Sequence, residues 1–188
     1  MSQYQFTLLK TYDSIFELAK DIYKYPGRFS NAFKTKELMD FIKEQDQKKY
    51  EEILKLRRKN YIPDVFLFKA SYILNPHMEL RYHHFIFKDY EQIGKQIKKY
   101  SPKIDVYIQD LLRFGLLEEY MIAQGDNYKK PELYARVKKV IDDYKKDKNL
   151  AYFELAYALD QSKEFIYEGV KYLSLIHISE PTRHWAIS

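Results

Sequence analysis

Two stretches of this chain read alike. Lys10-Thr11-Tyr12-Asp13-Ser14-Ile15 returns 78 positions later as Lys88-Asp89-Tyr90-Glu91-Gln92-Ile93. A proline break follows each block, Tyr25-Pro26 in the first and Ser101-Pro102 in the second. Next comes a compact apolar segment, Leu38-Met39-Asp40-Phe41-Ile42 against Leu117-Glu118-Glu119-Tyr120-Met121. The blocks also close alike: Phe68-Lys69-Ala70-Ser71-Tyr72-Ile73-Leu74-Asn75 aligns with Phe153-Glu154-Leu155-Ala156-Tyr157-Ala158-Leu159-Asp160, now 85 positions apart. Growth of the offset from 78 to 85 places an insertion of 7 residues near 125–131. Tyr4 to Lys10 matches Tyr82 to Lys88, so a first unit over 1–81 and a second over 82–172 are expected. Recurrence at such a period implies units that bury their apolar faces against neighbours.

Inside each unit the periodicity is helical. Tyr12, Ile15, Phe16, Leu18, Ala19, Ile22 and Tyr23 recur near 3.6 residues, Asp13 or Ser14 supplies a cap, and Pro26-Gly27 reads as the stop. Leu38, Phe41 and Ile42 mark a second helix, and Tyr50, Ile53, Leu54 and Leu56 a third. Asp64 to Leu74 is apolar on every side, a buried helix ended by Asn75-Pro76. Leu80, Tyr82 and Phe85-Ile86-Phe87 read as extended pieces of a small hairpin. The second unit follows the same plan, with 138–148 as its charged helix and Gly115 as a helix C-cap. The expected fold class is mainly α, two tandem helical repeat units of about 80 residues with minor β-hairpin pieces.

Composition changes after Tyr172. Leu173-Ser174-Leu175-Ile176-His177-Ile178-Ser179-Glu180-Pro181-Thr182-Arg183 resembles a translated transposase-type sequencing adapter, with His184-Trp185-Ala186 as a variable index before Ile187-Ser188. Residues 173–188 are therefore read as a non-native tail never selected to pack, and the native chain is expected to continue beyond Tyr172. That reading removes any functional weight from Trp185, His177 and His184. It also leaves an apolar end near Val170 and Tyr172 that favours association of the isolated fragment.

The chemistry-bearing residues do not converge. His77, His83 and His84 are clustered, yet adjacent histidines on an extended segment face opposite sides, and the second unit carries Ser162, Glu168 and Gly169 at their places. Glu118-Glu119 and Asp142-Asp143 lie beside lysines and read as solvated charge. Glycines 27, 94, 115 and 125 are isolated, so no phosphate-cradling loop is visible. No catalytic residue, metal site or cofactor is expected. The absence of cysteine removes thiol chemistry and disulfides and fits a cytoplasmic protein.

What recurs between the units is Tyr, Leu, Ile and Phe. The pattern resembles the uncharacterised tandem helical repeats of large multidomain bacterial proteins over most of residues 4–172. Such a resemblance implies an accessory, non-enzymatic role, with catalytic or chaperone-like domains elsewhere on the chain. The expected function is a protein-interaction or scaffold module of a larger protein, with protein partners and no membrane association. The alternative is single-stranded nucleic-acid binding through Lys/Arg and Tyr/Phe surfaces, centred on Lys55, Arg57, Arg58 and Lys59. Nineteen tyrosines and a formal charge of +5 favour it. Acids that nearly balance bases, 27 against 32, weaken it.

Overall fold

The computed structural model describes residues 3–7, 10–83, 85–98, 102–160, 165–167 and 170–172. His84 and the tail 173–188 lie outside the described residues. The chain divides into two compact units, Met1–Ile86 with Ile122–Gln124, and Phe87–Met121 with Gly125–Ser188. Described residues form eleven α-helices, one 3-10 turn and three two-stranded sheets, so the class is mainly helical with minor β.

The first unit opens on β1 (Tyr4–Thr7) and β2 (Lys10–Tyr12), antiparallel with Tyr4 opposite Tyr12. Ser14 then caps α1 (Ile15–Asp21), its Oγ accepting from the Phe16 N–H at 3.1 Å. The apolar period runs on to Tyr23, but the helix ends earlier, tightening into a 3-10 turn over Ile22–Lys24. Pro26 does not serve as a stop. It is the first residue of α2 (Pro26–Ala32), where a missing N–H goes unnoticed and the fixed φ suits a helix start.

Thr35 caps α3 (Lys36–Gln45), Asp46 caps α4 (Gln47–Arg57), and Pro63 opens α5 (Pro63–Leu74). The hairpin of β3 (Leu80–Tyr82) and β4 (Phe85–Phe87) appears where the extended pieces are expected. Helix α5 is the centre of this unit, packed against α1, α2 and α4, which is why its sequence is apolar all round. Leu18, Ile22, Phe29, Phe33, Leu38, Ile42, Ile53 and Phe68 are all 1% exposed or less. Each such side chain contributes roughly 2 kcal/mol of burial free energy. The end of α5 is tied down by Asn75, whose Nδ2 donates to the Phe16 carbonyl of α1 at 3.4 Å.

The second unit contains α6 (Tyr90–Lys98), α7 (Pro102–Arg113), most of α8 (Leu116–Ala123), α9 (Asp126–Lys129), α10 (Pro131–Tyr144) and α11 (Lys148–Leu159), then the antiparallel pair β5 (Phe165–Tyr167) and β6 (Val170–Tyr172). Asp89 opens α6 by accepting from the Gln92 N–H at 2.8 Å. Gly115, at φ 67°, ends α7 in the left-handed conformation expected of a C-cap glycine. The charged helix expected over 138–148 instead spans Pro131 to Tyr144. Pro131 takes its first position, and Asp147 is committed to capping α11 by accepting from the Leu150 N–H at 3.0 Å.

Helix α11 packs against both α6 and α10. Its crossing with α6 is close at Gly94, where an added Cβ would lie 2.6 Å from Asp160 Cβ, 2.8 Å from Asp160 N and 2.9 Å from Ala156 O.

Candidate functional site

The first unit carries a solvent-open groove of about 420 Å³. Three chain junctions build it. Where α2 hands over to α3, the turn places Phe33 inward and Lys34 outward, and Thr35 fixes that turn by donating to the Ala32 carbonyl at 2.8 Å. Where α4 ends, Arg57 projects from the last turn, and Asn60 reverses the chain in a left-handed conformation at φ 48°. Such a φ is tolerated by asparagine better than by most residues. At the start of α5, Pro63 and Phe66 complete the wall.

Phe33 and Phe66 meet edge to face, centroids 5.2 Å apart, with Phe33 buried beneath and the half-buried Phe66 supplying the apolar floor. Lys34, Arg57, Ser30 and Asn60 supply the polar rim. Tyr61 also lines the groove, with the Lys69 ammonium 5.0 Å above its ring centroid. The volume falls within the range of small ligand and side-chain pockets.

Of the four basic residues singled out in the sequence, Arg57 alone lines this groove. Lys55, Arg58 and Lys59 are exposed at the same corner but outside it. Sequence reading did not find Phe33, Phe66 or Asn60, because three separate helices bring them together. The histidines do not assemble. His77 is exposed, and His83, in a left-handed turn at φ 53°, has Nε2 3.5 Å from Asp64 and its ring against Tyr82. Among the described residues no group of three or more His, Asp or Glu side chains is placed to hold a metal, and no helix is long and apolar enough to cross a membrane.

No family model, curated protein or solved structure matches the chain.

Buried charge lies at helix ends, and none of it lines the groove. Asp21, 6% exposed, accepts from the Tyr12 hydroxyl at 3.1 Å and pairs with Lys24 at 2.6 Å and Lys10 at 3.1 Å. In the second unit Asp126, 4% exposed, accepts from the Tyr90 hydroxyl and pairs with Lys130 at 3.6 Å. Lys98, also 4% exposed, donates to the Asp160 carbonyl at 2.7 Å and lies 3.3 Å from its carboxylate. The Lys98 ammonium also sits 4.6 Å from the Tyr157 ring centroid. These groups brace helices, and local sequence patterns did not reveal them, because charged residues are read as solvated.

The Asp21 cluster makes a pH prediction. Burial acts to raise the Asp21 carboxyl, but hydrogen bonds from Lys24 and Lys10 outweigh it and hold it below the usual carboxylate range. Burial, and then the Asp21 charge, push the Tyr12 hydroxyl well above its ordinary value. A depressed carboxyl stabilises the fold above its unfolded value near about 4, and that contribution disappears as pH falls through the folded value. A raised hydroxyl stabilises below about 10, and its contribution is lost on the alkaline side. Melting temperatures taken across the acid range should therefore fall less steeply for Asp21→Asn than for the natural chain. An equally steep acid limb in the variant would refute this role for Asp21.

Proposed function

We propose that this chain is a non-catalytic helical repeat region that serves as a protein-interaction module of a larger protein. The observation that carries the reading is the groove of the first unit, open to solvent, apolar at its floor and cationic at its rim. Such a surface recognises a partner by shape and charge without reacting groups. The repeat part of the proposal draws support from spacing and from helix ends. The hairpins β3–β4 and β5–β6 recur 85 positions apart. At the same spacing, Asn75 and Asp160 both end an apolar helix, with their N–H groups bonded to Ser71 O at 2.8 Å and Ala156 O at 2.9 Å.

A single-stranded nucleic-acid partner is the second reading, favoured by one observation: Arg57 shares the groove with Tyr61 and Phe66. A photo-crosslinking residue at Ser30, on the groove rim, separates the two when compared with one at Glu51 on the exposed side of α4. Protein adducts from Ser30 that are absent from Glu51 support the interaction module. Nucleic-acid adducts from Ser30 favour the second reading, and equal adducts from both positions count against the groove as a binding surface.

A further inference from the structure

The groove also specifies what kind of partner segment it takes. We infer that it docks an acidic peptide segment of a partner protein, one apolar side chain entering against Phe66 while flanking carboxylates meet Lys34 and Arg57. This rests on the interaction-module reading and adds to it the chemistry of the partner.

The argument from charge is local. Residues 25–36 carry Arg28, Lys34 and Lys36 and no acid, and residues 53–63 carry Lys55, Arg57, Arg58 and Lys59 and no acid. These two stretches contribute most of the groove, in a chain that carries 27 acids and 32 bases in all. Asp64, the next acid along the chain, has its carboxylate 3.5 Å from His83 Nε2.

Ring geometry selects a peptide over a nucleic-acid strand. Base stacking needs an open aromatic face. Phe33 is 1% exposed, Phe66 is half-buried with its ring set edge to face against Phe33, and one face of the 36% exposed Tyr61 ring has the Lys69 ammonium above it. What is left is a slot with an apolar floor, suited to one inserted side chain, a common form of anchor at protein interfaces.

The test uses the 188-residue chain and a fluorescent peptide of glutamates around one phenylalanine. Binding is followed by anisotropy beside the same peptide with alanine for phenylalanine and beside an oligothymidylate of equal charge. Arg57→Glu and Lys34→Glu, both at exposed positions, should each weaken the phenylalanine peptide by about tenfold. Arg58→Glu, outside the groove, should change it less than about threefold. Loss of the phenylalanine should also weaken binding by about tenfold.

Equal losses from Arg57→Glu and Arg58→Glu would overturn the groove in favour of a diffuse basic surface. Oligothymidylate binding more tightly than the peptide, and lost with Arg57→Glu, would replace the peptide by nucleic acid. If the peptide fails to bind while Ser30 still crosslinks proteins, the acidic chemistry is wrong and the interaction module stands. If both fail, both readings fall.

Discussion

Gly94→Ala should destabilise the second unit by about 2 kcal/mol, even though alanine is the better helix former. Two effects oppose each other. Replacing glycine inside α6 gains roughly 1 kcal/mol of helix propensity. The new methyl, however, would sit 2.6 Å from Asp160 Cβ and 2.9 Å from the Ala156 carbonyl, and both neighbours belong to the framework of a packed helix end. No flexible side-chain tip can move aside, so α6 and α11 must separate, and overpacking of this kind costs about 3 kcal/mol. Gly27 is the control, because nothing lies within 4 Å of an added Cβ there. Urea denaturation followed by hydrogen exchange should show lost protection in α6 and α11 for Gly94→Ala and none for Gly27→Ala. A Gly94→Ala chain as stable as the natural one would mean the helices do not cross so closely.

Lys98→Met should cost about 3–5 kcal/mol, because it strips the cation from a carboxylate that stays buried. Lys98 and the Asp160 side chain are only 5% and 4% exposed, so water cannot replace the lost partner. The double variant Lys98→Met with Asp160→Asn should recover at least half of that loss. A neutral amide needs no counter-ion, and asparagine already ends an apolar helix at Asn75, after α5. A thermodynamic cycle over the two single variants and the double one measures the coupling. Additive losses would show that the pair does not act as one brace.

How much of this was legible beforehand depends on the range over which each interaction acts. Helices α3 and α4 follow from apolar periodicity, α5 from its apolar run and the Ser14 cap from a local hydrogen bond, whereas the Asp46 cap goes unmarked and Asp147 reads as part of a charged helix. Prolines 26 and 131 misled on boundaries, since proline both breaks a preceding helix and suits the first turn of the next. Only the partner groups downstream decide which. The Lys98–Asp160 brace joins residues 62 positions apart, and nothing in the sequence around Lys98 marks it as buried. The groove was half legible: Arg57 stands out in a basic run, whereas Phe33 and Phe66 look like ordinary core residues until α2 and α5 bring their ring edges together.

The tyrosine pair has a consequence for length variation. Tyr12 precedes α1 and Tyr90 opens α6, and each hydroxyl donates to a buried carboxylate. For Tyr12 the acceptor comes from the adjoining helix, α1. For Tyr90 it comes from Asp126, 36 positions along the chain in the segment 125–131. Surface connections usually tolerate shortening, but removing 125–131 would leave an anchoring hydroxyl with its acceptor deleted. Deletion scanning across the chain should therefore find 125–131 among its least forgiving stretches, and an engineer shortening the protein should cut elsewhere.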